Sequence, residues 1–360
     1  AFGLAGLFML AGLVQFSVTR GNLHGAGRGA AVQATSGDRK TLGFGSFVFL
    51  AALVALYFAQ VSVERIADGF AALLLIAVAV TFAGLIFSRD FTPVEKKRIY
   101  VILVLFIASA LFWSIFEQAG STLNLFADRS TRNELLGLPF PSTYFQSLNP
   151  IYIYALGPLL AWLWLKLGDR NPSPVTKFAY GLLGAGGGFL LMVLAVQAAG
   201  AEGKVSPLWL ASVYLIHTVA ELCLSPVGLS TMSKLAPARL TGLVMGVWFL
   251  ATSLGNKLSG TLSADFSSKD PVALAHFFRN QAIVVGLMAV VVVDAPPDRR
   301  FLAAGAVLEF VGAFLLGERA AGKLKGRPLI QWAVEQILHD ELFYPGETLG
   351  RAFVDPVALV

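Results

Sequence analysis

Two carboxylic acids stand in apolar runs long enough to cross a membrane. Glu117 lies within VILVLFIASALFWSIFEQAGSTLNLF, and Glu221 lies within LWLASVYLIHTVAELCLSPVGLSTMS. A charged side chain at the bilayer centre costs at least about 2.5–3.5 kcal/mol on insertion scales, so each acid is a suspect for ligand binding or coupling to a proton. A carboxylate holds a cation by charge-assisted hydrogen bonds. Once protonated it releases that hold, which lets the same group act as a switch. The competing role for either acid is a structural partner for a buried Lys or Arg.

Helical spacing places further polar groups beside them. Trp113, Glu117, Ser121 and Asn124 follow one another at i, i+4, i+8 and i+11. Tyr214, His217, Glu221, Ser225 and Gly228 fall at i, i+3, i+7, i+11 and i+14, and Trp248, Thr252, Asn256 and Ser259 repeat the first pattern. Each set shares one helix face. Three polar stripes on apolar helices point to a shared, water-filled path, because a passive bundle needs only one or two small polar contacts. His217 is read either as a hydrogen bond to a neighbouring helix or as a proton relay. Trp248 is either a packing aromatic or a wall of the path. Lys257 snorkels to the interface. Asn149, in the Asn-Pro step that opens another apolar run, offers both a donor and an acceptor suited to a peptide-like amide. Its other role is to cap that helix. Pro226, in SPVG with Gly228, predicts a kink or hinge, since it removes a backbone hydrogen bond inside its span.

The elements that carry these groups follow from composition. Of 360 residues, 56% are hydrophobic and 14% charged, against about 25% charged in soluble domains. The apolar residues come in blocks near the length needed to span about 30 Å of hydrocarbon as a helix. The expected spans are Ala1–Val18, Phe44–Ala59, Ala71–Phe87, Val101–Phe126, Tyr144–Leu167, Phe178–Ala199, Leu208–Ser233, Leu243–Leu262 and Leu274–Val293. Barrel strands would alternate apolar and polar residues. The continuous run FAALLLIAVAVTFAGLIF does not. The fold class is therefore all-α, a polytopic transmembrane helical bundle.

The net charge of +5 sits in the connections, where the lipid bilayer accounts for it without nucleic acid as a partner. Basic residues are richer in alternate connections, among them Arg20 to Lys40, Lys96 to Arg98, Lys166 to Lys177, and Lys234 with Arg239. The positive-inside rule assigns these to the cytoplasm. Soluble-enzyme signatures such as GxxxxGK[ST], HExxH or paired Cys/His spacing are absent from the sequence, so no enzyme, metal site or bound cofactor is expected. Cys223 is the single cysteine and forms no intrachain disulfide. The glycines of GAGGGF at Gly184–Phe189 suit close helix packing better than phosphate binding.

Four longer strings carry a resemblance. FWSIFEQAGSTLNLFADR at Phe112–Arg129, SLNPIYIYALGPLLAWLW at Ser147–Trp164, ELCLSPVGLSTMSKLAP at Glu221–Pro237 and GLVMGVWFLATSLGN at Gly242–Asn256 resemble the seventh, eighth, tenth and eleventh helices of proton-dependent oligopeptide transporters, in the family's order. The resemblance covers about residues 1–293 and implies a major facilitator superfamily fold, here its C-terminal half, a fragment lacking most of the N-terminal six-helix bundle. By that likeness residues 1–19 are the end of the sixth helix and 20–43 a cytoplasmic linker. Residues 44–90 are an inserted helix pair and 91–293 the C-terminal six-helix bundle. The remaining 294–360 are an atypical tail, amphipathic or disordered.

The resemblance also implies roles. Glu221 resembles the acid that binds the peptide's N-terminal ammonium, and Asn149 the amide that contacts the peptide. Trp113, Trp248 and Thr252 resemble pocket-lining residues. Glu117 resembles the acid tied to proton coupling and gating. The implied activity is proton-coupled symport of di- and tripeptides by alternating access, with the proton as coupling ion and no other cofactor. The implied setting is a monomer, multi-pass in the cell's inner (plasma) membrane. The groups for the peptide carboxylate are expected on the missing N-terminal bundle, so the chain alone is not expected to transport. The alternatives are a major facilitator transporter of another small solute, an inactive transporter fragment, or an intramembrane enzyme using Glu117 and Glu221 as an acid pair.

Overall fold

The structure is a computed structural model, and it describes residues 2–19, 62–135, 137–199, 203–264, 266 and 270–294. The helices are α1 (Phe2–Thr19), α2 (Val63–Phe87), α3 (Pro93–Phe116), α4 (Thr122–Ser130), α5 (Leu148–Leu167), α6 (Pro174–Gln197), α7 (Pro207–Leu235), α8 (Thr241–Ala264) and α9 (Pro271–Asp294). They carry every expected span except Phe44–Ala59, which lies outside the described residues together with the 20–43 linker and residues 295–360. The chain divides into two units, Ala1–Gly69 and Phe70–Val360. In the first, α1 is a plain apolar helix. Its Ser17 and Thr19 hydroxyls donate to the carbonyls of Leu13 and Gln15 one turn back, each at 2.8 Å.

In the second unit, helix starts are written in the sequence as a capping residue followed by proline. Thr92–Pro93, Ser173–Pro174, Ser206–Pro207 and Asp270–Pro271 open α3, α6, α7 and α9. The cap oxygen accepts a backbone N–H that the helix leaves unpaired, and proline at the first position loses nothing because its N–H would be an orphan. At Thr92 the arrangement is reciprocal: Glu95 N–H donates to the Thr92 hydroxyl at 3.3 Å, and Thr92 N–H donates to the Glu95 carboxylate at 2.8 Å.

Six helical segments among the described residues are long and apolar enough to cross a membrane: Gly69–Phe87, Pro93–Ser130, Ser142–Arg170, Pro174–Gln197, Pro207–Leu235 and Pro271–Val293. α8 has 24 residues but falls short in hydropathy. Its second half carries Thr252, Ser253, Asn256, Lys257, Ser259, Thr261 and Ser263. α3 is the buried axis of the unit, covered from Val104 to Ile115. It packs against α8 and α9, while α6 packs against α7 and α9. Close approach there depends on the glycines: a Cβ on Gly184 would stand 2.7 Å from that of Ala220 on α7, and one on Gly186 would stand 3.1 Å from the Ala282 carbonyl on α9. GAGGGF is thus a packing face.

The expected span Val101–Phe126 is not one continuous helix. α3 ends at Phe116, Glu117–Gly120 form a 3-10 turn, and Ser121 adopts φ −124°, ψ −86° before α4 begins at Thr122. Gly120 weakens the helix, and side chains take over part of the bonding, as broken membrane helices require. The hydroxyl of Ser263 on α8 lies 2.7 Å from that of Ser121 and 2.9 Å from that of Thr122. The stripe from Trp113 to Asn124 is interrupted at Glu117 and does not run as a single face.

The described residues bear out the all-α fold class, with one small hairpin in a connection, β1 (Glu134–Leu135) with β2 (Leu138–Pro139), turned at Gly137 with φ 79°. Just before it, Thr131 bridges Val205. Arg132 N–H donates to the Val205 carbonyl at 2.8 Å, and Val205 N–H donates to the Ser130 carbonyl at 2.9 Å. In the connection from α2 to α3, the Asp90 carbonyl accepts from the Arg239 guanidinium at 2.7 Å, and that guanidinium lies over the Phe91 ring.

Candidate functional site

Glu221 sits midway along α7, a helix that continues through Pro226. Asn149 is the second residue of α5. Its side-chain Nδ2 donates to Glu221 Oε2 at 3.0 Å and to Thr218 Oγ1 at 3.1 Å. Thr218 is fully buried and sends its own proton back to the Tyr214 carbonyl at 2.7 Å. Its lone pairs are thereby left for Asn149. Asn149 does not cap its helix, since its amide reaches across to α7. Glu221 and Asn149, distant in sequence, form one hydrogen-bonded pair, both half-buried.

Glu117 is the first residue of the 3-10 turn that follows α3. Asn256 on α8 lies beside its carboxyl, and Glu221 on α7 is near enough for the two acids to interact. The two acids therefore belong to one polar region. Tyr214 joins α7 to the same turn, its hydroxyl donating to the Ala119 carbonyl at 3.2 Å. A proton gained or lost by either acid alters the electrostatic field at the other.

The other expected site residues divide. Trp113 is buried beside Phe112 and Phe116, its ring edge-on to both at 5.3 Å, and its Nε1 has no hydrogen-bond partner among the described residues. Trp248 is also buried and packs into the helix interface: it stands edge-on to Phe178 and fills the place where a side chain on Gly228 would have to go. Thr252 is half-buried, one turn before Asn256, with its hydroxyl 3.5 Å from the Trp248 carbonyl of its own helix. None of the three is hydrogen-bonded to Glu221 or Asn149.

His217 resolves in favour of helix-helix bonding. It is 3% exposed, and its Nε2 is 3.1 Å from the Ala185 carbonyl. A carbonyl only accepts, so that nitrogen carries the proton. The ring is walled by Phe189 and Phe116 and occupies the space that a Cβ on Gly188 would need.

Thr218, Gln118 and Gln281 escaped the sequence reading. Thr218 precedes Glu221 by three residues and so shares its face. The glutamines carried the same signal as the acids, a polar side chain inside an apolar run. Among the described residues, no group of three or more His, Cys, Asp or Glu side chains is placed to hold a metal ion.

The sequence and the fold have counterparts among known proteins. Residues 1–277 match the model of the POT family. The uncharacterized transporter YclF of Bacillus subtilis is 34% identical over 293 residues, covering 81% of this chain and 58% of that protein. The peptide transporter YePEPT of Yersinia enterocolitica is 38% identical over 226 residues, covering 61% of this chain and 44% of its own. Among solved structures, a peptide transporter POT in complex with sulfate superposes with TM-score 0.68 at 32% identity, over 81% of this chain and 60% of that one. A POT family transporter in complex with 5-aminolevulinic acid gives 0.65 at 27%, over 81% and 61%. The chain belongs to the POT family, a family of transporters, and its fold is the multi-pass, major-facilitator type of helical bundle. It spans between 44% and 61% of the length of these relatives.

Proposed function

We propose that this chain forms the substrate- and proton-handling half of a proton-coupled symporter of di- and tripeptides that works by alternating access in the cell's inner (plasma) membrane. The observation that carries the reading is the Asn149–Glu221 pair. A peptide's terminal ammonium is a cation with three donors, and desolvating it requires a fixed anion. Glu221 accepts one bond from Asn149 and has lone pairs to spare. Asn149, bonded to Thr218 as well, is assigned the exchange of its bond to Glu221 for one to a peptide carbonyl. Trp113, with its unpaired indole donor, Trp248 and Thr252 are assigned to the surroundings of the bound peptide. Glu117 is assigned the coupling proton, because its charge bears on Glu221. The proton is the only coupling species required, and no other cofactor enters. Relatives described as peptide transporters support the substrate class. The peptide carboxylate falls to an N-terminal bundle that completes the transporter, and the working unit is a monomer.

The test is uptake of a labelled dipeptide into vesicles containing the full-length protein, driven by a pH gradient. Wild type takes up the label, unlabelled dipeptides compete, and Glu221→Gln and Glu117→Gln both abolish driven uptake. Undiminished uptake in both variants would remove the assigned roles. Competition by other small amines, but by no peptide, would replace the substrate.

A further inference from the structure

Gln118 follows Glu117 directly and is completely buried. Its Nε2 donates to the Ser114 carbonyl at 2.9 Å, one turn back in α3, and spends its other proton on Gln281 Oε1 of α9. Gln281 is 3% exposed, and its own Nε2 donates to the Phe277 carbonyl at 3.2 Å. The amide assignments are forced: turning Gln118 over would set its oxygen against the Ser114 oxygen. Two uncharged side chains, 163 positions apart in the chain, thus bind the helix break to α9. They do so at the residue next to the acid assigned to the coupling proton.

We propose that Gln281 is a positioning residue for the Glu117 carboxyl, acting through its bond to Gln118. The inference rests on the proton-coupling role given to Glu117 above. Within α3 the ladder of backbone bonds fixes each residue. At a break that constraint lapses, and the direction in which Glu117 points depends on what anchors the turn. On the α8 side the anchors are hydroxyls, Ser121 and Thr122 against Ser263. On the α9 side the anchor is the glutamine pair. The ionisable groups on the elements around the turn are Asp128 and Arg129 on α4, Tyr214, His217, Glu221, Cys223 and Lys234 on α7, and Lys257 on α8. Those of α3 lie toward its opposite end, from Glu95 to Tyr100. On α9, His276 and Arg279 are exposed and bonded to each other. The pair itself does not titrate, so any effect of Gln281 on a proton-dependent step passes through the placement of Glu117.

Two readouts test this in the full-length protein. The first is the pH profile of dipeptide uptake for wild type, Gln281→Leu and the double variant Gln118→Leu, Gln281→Leu. The second is the pH dependence with which a hydrophobic carbodiimide labels the Glu117 carboxyl. In Gln281→Leu the midpoints of both profiles move by about threefold or more in proton concentration, while the KM for peptide stays within about twofold because the Asn149–Glu221 pair is untouched. The double variant removes both amides, so neither is left buried without the other. It keeps the displaced midpoints even where the single variant folds poorly. Profiles that superimpose on wild type, with uptake reduced equally at every pH, would overturn the proposal. Labelling reads Glu117 directly. Wild type without proton-driven uptake would therefore count against the transport reading, while the labelling midpoints still decide the role of Gln281.

Discussion

The side-chain amide of Asn149 divides its two protons between Glu221 Oε2, at 3.0 Å, and Thr218 Oγ1, at 3.1 Å. One amide therefore fixes the carboxylate of α7 from the start of α5. Asn149→Ala removes a bond to a charged group, worth about 1.5–3 kcal/mol. The expected result is a tenfold or greater rise in KM for dipeptide, with a smaller change in maximal rate, measured by concentration-dependent uptake.

Thr218 acts one step removed. Thr218→Val keeps the shape but loses both the bond to Asn149 and the donation to the Tyr214 carbonyl. A loss of about 1 kcal/mol corresponds to a several-fold weaker KM. Thr218→Ser retains the hydroxyl and should restore binding. Failure of serine to do so would make the methyl group, and hence packing, the contribution of Thr218.

Gly188 and His217 form a tight pair between α6 and α7. Gly188→Ala puts a methyl group where the imidazole lies. Overpacking of this kind costs about 1–3 kcal/mol, so a lower melting temperature is expected in detergent. Because His217 serves to bond the helices, His217→Gln should lower stability while leaving the pH midpoint of uptake in place. A moved midpoint would return His217 to the proton path.

Trp248 on α8 and Gly228 on α7 offer a parallel test. Gly228→Ala forces the indole aside and is expected to destabilise the protein by about 1–3 kcal/mol. If Trp248 only packs, Trp248→Phe changes melting more than KM. A KM change that exceeds the stability loss would assign it to the substrate.

Much of this was legible in residue types. An acid inside an apolar run marked Glu221 before any partner was known, whereas the capping residue–proline steps went unread and the expected spans at Val101, Phe178, Leu208 and Leu274 began inside helices that start at Pro93, Pro174, Pro207 and Pro271. Asn149 stood out because its amide offers both a donor and an acceptor at the head of an apolar run. The break after Phe116 was not legible, since hydrophobic residues continue through it with helical spacing and only Gly120 hints at weakness. Gln118 and Gln281 could not be matched to one another by local pattern, because their pairing depends on how α9 returns against α3. The same holds for Trp248: whether an aromatic lines a path or fills a seam depends on the glycine opposite, and that is a property of the packed helices.

The backbone bridge between Thr131 and Val205 joins the segment after α4 to the connection between α6 and α7. Residues on its two sides should keep a constant separation while the transporter cycles. Spin labels at Asn133 and Lys204 would then act as a fixed ruler, against which a third label could gauge how far any other part of the molecule travels.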